Sequence, residues 1–254
     1  MSLLEVRDLS VTVATAAGPQ RLLDSVSFEL DAGTTLGVMG GSGSGKSTLA
    51  LALPGLLGPG MQVSGSLLFD GRERIGDAAA MKALRGTGIG LVFQNALTSL
   101  NPYLPIGEQL IEVLMHHRRL GRAAALSESV RLLDAVQIAH PSRRLFDHPH
   151  QFSGGMRQRV MIAIALAAQP PLLVADEPTS ALDVTVQSQI LALLNALRRD
   201  FALALLLISH DAAVIRTCCD RVLTMRGGQL LAARPDSDPG LARVAAGTAG
   251  LPAM

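Results

Sequence analysis

The sequence predicts an α/β fold: a parallel-sheet core that carries an antiparallel β layer and an inserted helical segment. Three observations predict it. Short apolar runs at residues 35–39, 88–93, 172–175 and 203–208 alternate with helical patterns. Residues 40–48 read G-G-S-G-S-G-K-S-T, set between one of those runs and a helix-forming stretch at 49–53. Two alternating segments, 3–13 and 22–30, open the chain with a turn between them, the pattern of an antiparallel pair.

In the first segment Leu9, Val11 and Val13 fall on one face. The T-A-A-G-P-Q stretch at 15–20 turns the chain, and Val26, Phe28 and Leu30 alternate on the return. Asp31, Ala32 and Gly33 form a second turn. The apolar strand that follows runs into the glycine loop, Gly40, Gly41, Ser42, Gly43, Ser44, Gly45, Lys46, Ser47 and Thr48. Glycines let the backbone wrap a phosphate because no Cβ stands in the way. Several N–H groups then point inward, and the helix start adds partial positive charge. Lys46 can reach the β- and γ-phosphates, and the Ser47 hydroxyl is placed for Mg²⁺.

Residues 54–60 end this helix, and residues 63–70 read as a further strand of the early layer. The strand at 88–93 ends at Gln94, a polar residue where open α/β sheets gather ligand-contacting groups. Residues 95–104 read as a polar turn region. Helical patterns follow at 105–117 and 122–138, the second with Leu126, Val130, Leu133 and Val136 on one stripe. Residues 95 to about 158 therefore read as a helical insertion. Its histidines, His116, His117, His140, His148 and His150, lack the spacing of a closed metal site and read as surface or packing residues.

Ser153 suits an N-cap, and Gly154 and Gly155 leave amides uncovered just ahead of an apolar helix, a second potential anion site. Pro170 and Pro171 end that helix. The strand at 172–175 delivers Asp176 and Glu177 together. Adjacent carboxylates at the end of a buried strand are costly unless they meet a cation or a proton. Beside a phosphate loop the cation is Mg²⁺: Asp176 holds it directly or through water, and Glu177 orients or deprotonates an attacking water. A tight connection at 178–183 leads to a helix with Val186, Ile190, Leu194 and Leu197 on one face. The strand at 203–208 ends in Ser209, His210 and Asp211. Residues 221–225 and 230–233 flank R-G-G-Q as a hairpin or tight turn.

Composition excludes other classes. A net charge of +1 with 17% charged residues provides no polybasic nucleic-acid surface. The longest apolar runs fall short of a membrane span, and the opening M-S-L-L-E-V-R-D lacks a signal core, which argues against secretion. The two cysteines, Cys218 and Cys219, are adjacent; they form no disulfide framework and fit a reducing compartment.

The glycine loop, Gln94, the Ser153-Gly154-Gly155 turn, Asp176-Glu177, Asp183 and His210 occur in an order that resembles the ATPase subunit of an ABC transporter, over about residues 3–233. Within that family, T-S-L-N-P at 98–102, F-S-G-G-M-R-Q-R-V at 152–160 and A-D-E-P-T-S-A-L-D-V-T-V-Q at 175–187 resemble the oligopeptide, dipeptide and nickel import group. The resemblance implies a P-loop NTPase (RecA-like) core over 1–94 and 159–233 with an antiparallel β subdomain. It also implies an inserted helical subdomain over 95–158 and a short tail over 234–254. Its cofactors would be ATP and Mg²⁺. Its partners would be a second ABC ATPase subunit, same or homologous, two transmembrane permease subunits and, indirectly, a solute-binding protein, with no nucleic acid. It would sit peripherally on the cytoplasmic face of the inner or plasma membrane.

Two subunits would pack head to tail. Each ATP would touch the phosphate loop of one and Ser153, Gly154, Gly155 and Met156 of the other. Gln94 would contact Mg²⁺ and the attacking water and link the site to the helical subdomain. Glu177 would be the catalytic base, His210 would hold the γ-phosphate and water in line, and Asp183 would communicate across the dimer. A groove near 95–104 would receive a coupling helix of the permeases. The chain departs from the family at Val13, which stands where an aromatic ring stacks on adenine. Met156 stands where glutamine is often found, which is ordinary for this import group. Peptide-type members often run on past the place of residue 254, so this feature leans toward the shorter nickel or metal-chelate type.

Other readings are a soluble ABC-type ATPase of DNA repair or translation and a P-loop small-molecule kinase. The first would carry a long coiled-coil insertion or a tandem second half, and the second would not need the Ser153-Gly154-Gly155 turn. A degenerate, purely structural partner is opposed by the intact Lys46, Glu177 and His210.

Overall fold

The computed structural model describes residues 2–180 and 182–231. The chain opens with β1 (Ser2–Thr15) and β2 (Gly18–Asp31), and β3 (Thr35–Met39) then runs into α1 (Lys46–Ala52). Next come β4 (Met61–Phe69), β5 (Arg72–Glu73), α2 (Ala78–Leu84) and β6 (Ile89–Val92). The helices α3 (Ala96–Ser99), α4 (Ile106–Arg118), α5 (Arg122–Ala135) and α6 (Pro141–Arg144) precede α7 (Gly154–Ala167). The chain then alternates β7 (Leu172–Asp176), α8 (Val184–Asp200), β8 (Ala204–Ser209) and α9 (Ala212–Cys218). The hairpin of β9 (Arg221–Arg226) and β10 (Gln229–Leu231) follows. The tail read at 234–254 lies outside the described residues. No described helix is long and apolar enough to cross a membrane.

Two sheets result. An antiparallel sheet has the order β2-β1-β4-β5, and a six-stranded sheet has the order β10-β9-β3-β8-β7-β6, parallel except at β10. The central strands are apolar between their ends because both faces are buried. On β8, Leu205 and Leu207 pack with the helical segment and α7, whereas Leu206 and Ile208 pack with α1 and the antiparallel sheet. The same division splits Leu173 and Ala175 from Leu172 and Val174 on β7. The ends of β3, β8 and β7 therefore lie side by side, and everything that follows them is brought to one edge of the sheet.

Several local readings change. The β1 face holds Leu9 and Val11, but Leu4 and Val6 share it despite opposite parity. A bulge resets the phase: the register slips between Val6 and Leu9, and Asp8 takes a φ of 50°. Gly65 on β4 is what tolerates it. A Cβ there would lie 2.5 Å from the Asp8 carbonyl oxygen. Residues 95–104 are not all turn, since α3 forms within them. On α5 the buried stripe is Ala125, Ser129, Leu132 and Leu133, with Leu126 40% exposed. Short β5, α2, α6 and α9 carry too few residues to show a period.

The β4–β5 hairpin is closed by Glu73. Its carboxylate accepts the backbone N–H of Leu67 at 3.0 Å, Arg74 at 2.8 Å and Ile75 at 2.9 Å, and the Ser66 hydroxyl. Burial pushes this carboxyl up, but the Ser66 hydroxyl and the three amides outweigh it and bring it down to about 2 from 4.5. A carboxyl whose pKa is depressed on folding contributes stability above 4.5 and loses it as pH falls through about 2. Glu73→Gln is therefore expected to lower the urea midpoint at neutral pH. The gap from the parent should narrow steadily below pH 4.5.

Candidate functional site

β3 ends in the glycine loop, and its backbone explains the glycines that matter most. Gly43 and Gly45 adopt φ of 74° and 106°, which side chains with a Cβ rarely reach. At Gly40 a Cβ would lie 2.4 Å from the Met225 carbonyl oxygen and 2.7 Å from the Ser44 hydroxyl. Lys46, 5% exposed at the first turn of α1, donates to the carbonyl oxygens of Gly40 at 2.8 Å and Gly41 at 2.9 Å. The loop thus holds its own ammonium where a phosphate chain would lie.

Glu177 directly follows β7. Its N–H donates to the Ile208 carbonyl at 2.9 Å, and its φ of 46° is left-handed, a strained setting held by the surrounding sheet. The carboxylate meets three groups from other elements. His210 Nδ1 lies 3.2 Å from Oε2, Gln94 Nε2 donates to Oε2 at 3.3 Å, and Lys46 Nζ lies 3.8 Å from Oε1. Gln94 also donates to the Ser180 hydroxyl at 3.4 Å. Lys46, Gln94, Glu177 and His210 therefore converge, each from the end of a different parallel strand.

Asp176, 8% exposed, is the last residue of β7. Burial pushes its carboxyl above the ordinary range and the charge of Glu177 adds to this, while a Ser47 hydrogen bond and the Lys46 charge oppose it. Its Oδ1 is buried without a hydrogen-bond partner. An orphaned carboxylate oxygen beside the Ser47 hydroxyl fits a hard divalent cation such as Mg²⁺.

Gln94, Glu177 and His210 line a cleft of about 1010 Å³, together with Gln20, Arg21, Leu22, residues 41–48, Gly227 and Gly228. Val13 does not line it. It pairs with Gln20 across the antiparallel sheet, and the wall beside the glycine loop is made by β2. The cleft residues that sequence reasoning missed are Gln20, Arg21, Leu22, Gly227 and Gly228. The R-G-G-Q turn carried a signal in its paired glycines. Gly228 sits at φ 81° and would place a Cβ 2.7 Å from the Leu22 carbonyl oxygen.

Ser153 caps α7, its hydroxyl accepting the Met156 N–H at 3.3 Å. Gly154 and Gly155 lie inside the first turn of the helix rather than ahead of it. Gly155 packs under Val186 so tightly that a Cβ would lie 2.5 Å from it, and Gly154 faces Leu182. Asp183 caps α8 by accepting the Val186 N–H at 3.0 Å. The starts of α7 and α8 are therefore locked together, and Ser153, Gly154, Gly155, Met156 and Asp183 do not line the cleft. The sequence-predicted residues fall into two groups on one chain.

Known proteins resemble this arrangement. A family model described as ABC transporter matches residues 23–180. The oligopeptide transport ATP-binding protein of Salmonella typhimurium is 51% identical over 230 residues, 90% of this chain and 69% of that protein. The dipeptide transport ATP-binding protein of Bacillus subtilis is 42% identical over 231 residues, 89% of this chain and 69% of that protein. A solved ATP-binding cassette in a dimeric post-hydrolysis state, bound to ADP and Pi, superposes with a TM-score of 0.79 at 28% identity. That match covers 90% of this chain and 97% of that one.

Proposed function

The chain belongs to the ABC transporter family as an ATP-binding, ATP-hydrolysing subunit, and from that premise we propose that it energises the import of peptides as one of two ATPases packed head to tail. One observation carries this reading: the four converging groups and the Ser153 helix start occupy separate surfaces of one chain. A second chain is the natural source of a Ser153 turn for each cleft. The dimeric, nucleotide-bound cassette with the same fold supports this. Peptide is preferred over nickel or metal chelate because similar proteins are named for oligopeptide and dipeptide transport.

In this mechanism Lys46 leaves the Gly40 and Gly41 carbonyls for the β- and γ-phosphates. Residues 41–48 supply amides to the same oxygens. Ser47, Asp176 and Gln94 would hold Mg²⁺, which when bound would neutralise charge on the phosphoryl oxygens. Glu177 accepts the proton of an in-line water, and His210, already against Glu177, keeps that water and the γ-phosphate aligned. Ser153, Gly154, Gly155 and Met156 of the second chain close over the triphosphate, and Asp183 lies beside them to relay closure between sites. Adenine would rest against β2.

The helical segment at 95–158 would bear on the permeases, as in the domain division read from the sequence. Its apolar surface supports this: Tyr103 is 87% exposed and Phe146 71% exposed. The Ile106 N–H bond to the Asp147 carbonyl at 2.9 Å brings these stretches together. Gln94, at the junction, would transmit occupancy of the cleft to that surface. Reconstitution of the chain with its two permease subunits in vesicles, with peptide and its solute-binding protein outside the compartment that holds ATP, tests the whole reading. Uptake is expected to require ATP and to stop in Lys46→Ala. Hydrolysis that is indifferent to the permeases and to peptide would overturn it.

A further inference from the structure

The cleft has a chemical gap at its outer end. None of its lining residues is Phe, Tyr or Trp, so a flat base has no aromatic ring to lie on. Apart from the amides of Gln20 and Gln94 and the Glu177 carboxylate, two planar groups line it instead. One, the His210 imidazole, is bonded to Glu177 among the groups that face the γ-phosphate. The other is the guanidinium of Arg21 on β2.

Arg21 is held in place. Its Nη1 donates to Asp24 Oδ1 at 2.5 Å, and the second oxygen of Asp24 accepts from Gln229 Nε2 at 2.6 Å. Gln229 and Arg21, in that order, hold the Asp24 carboxyl below its usual range. The Asp24 N–H donates to the Gly228 carbonyl at 2.9 Å, and the Gly228 N–H donates to the Ser44 carbonyl at 2.9 Å. An unbroken chain of bonds thus runs from the glycine loop through the β9–β10 turn to the Arg21 guanidinium.

Strand geometry turns Arg21 to that side. Val11 pairs with Leu23, but the next residue, Thr12, pairs with Arg21, so Leu22 is an extra residue in β2. The bulge breaks the alternation, leaving Leu23 in the core and Arg21 61% exposed at the cleft. The same bulge sets Leu22 against the loop, where a Cβ on Gly45 would lie 3.0 Å from the Leu22 carbonyl oxygen.

We propose that Arg21, positioned by Asp24 and Gln229, is the residue that covers the nucleotide base, its guanidinium plane stacked on the purine face. This rests on the nucleotide reading of the cleft. A guanidinium is planar, weakly hydrated and stacks on π faces, and such contacts at exposed sites are modest in energy. Base recognition here is therefore weak, and most affinity comes from the triphosphate.

The test compares two probes on the full chain, Mg-ATP and Mg-tripolyphosphate, which lacks base and sugar, by calorimetric titration. Arg21→Ala is expected to weaken ATP binding by roughly three- to fivefold while tripolyphosphate binding is unchanged. Arg21→Tyr, which supplies a ring without charge, should restore ATP affinity. Asp24→Asn, which loosens the guanidinium, should weaken ATP alone. Equal weakening of both probes in Arg21→Ala would make Arg21 a phosphate contact and overturn the proposal, as would unchanged ATP affinity. Failure of the parent chain to bind either probe would instead remove the nucleotide reading itself, and this proposal with it.

Discussion

Glu177→Gln is expected to lower ATP hydrolysis about 10²- to 10⁴-fold, the usual contribution of a general base, without weakening ATP binding. Glutamine keeps the shape of the side chain and can still meet His210 and Gln94, which lie 3.2 Å and 3.3 Å from Oε2. It cannot take a proton. The negative charge facing Lys46 at 3.8 Å is also removed, which frees the ammonium for phosphate. Binding should therefore persist while the chemical step stalls, and ATP should accumulate with two chains closed around it. Size-exclusion chromatography with ATP, beside steady-state phosphate release, reads both effects. Turnover at the parent rate would remove Glu177 from the role of base.

Ser153→Arg should have the second largest effect, a loss of about 10²-fold or more in turnover, comparable to removing a donor aimed at developing charge. Here the geometry makes a sharper demand. Ser153 does not line the cleft of its own chain, so ATP affinity of the isolated chain should stay within about twofold while pair formation and hydrolysis collapse. Mixing Ser153→Arg with Lys46→Ala chains adds a control. One of the two composite sites then keeps an intact loop and an intact serine turn, and a fraction of activity should return where both arms pair freely. A Ser153→Arg chain that hydrolyses ATP normally would mean that the cleft is completed within one chain. Its own α7 cap, the Ser153 hydroxyl on the Met156 N–H at 3.3 Å, contributes about 1 kcal/mol of local stability. Circular dichroism melting separates that loss from loss of activity.

Much of this protein could be read in one dimension. The glycine loop, the apolar strands and the acidic pair after β7 are local patterns. Each follows from what a few neighbouring residues can and cannot do: a glycine can take φ of 106° at position 45, and a run such as L-L-L-I cannot face water. The β9–β10 hairpin and the N-cap at Ser153 depend on equally short stretches. Where the readings slipped, the cause was usually a single residue breaking a period. Asp8 shifts the phase of β1. A bulge is specified by the partner strand as much as by its own sequence, as Gly65 opposite Asp8 shows.

The sequence by itself determined the class of fold, the phosphate-binding loop and the identities of the polar residues at the strand ends, because backbone sterics and burial period act over a few residues. Only the tertiary structure decided which of those residues meet. Gln94 and Glu177 are 83 residues apart in the chain, yet the order of the parallel strands sets them within hydrogen-bond reach. The same order sets Glu177 3.8 Å from Lys46 and leaves the Ser153 helix start outside the cleft. Strand order is chosen by how whole faces bury against each other, a choice no short stretch of residues can make.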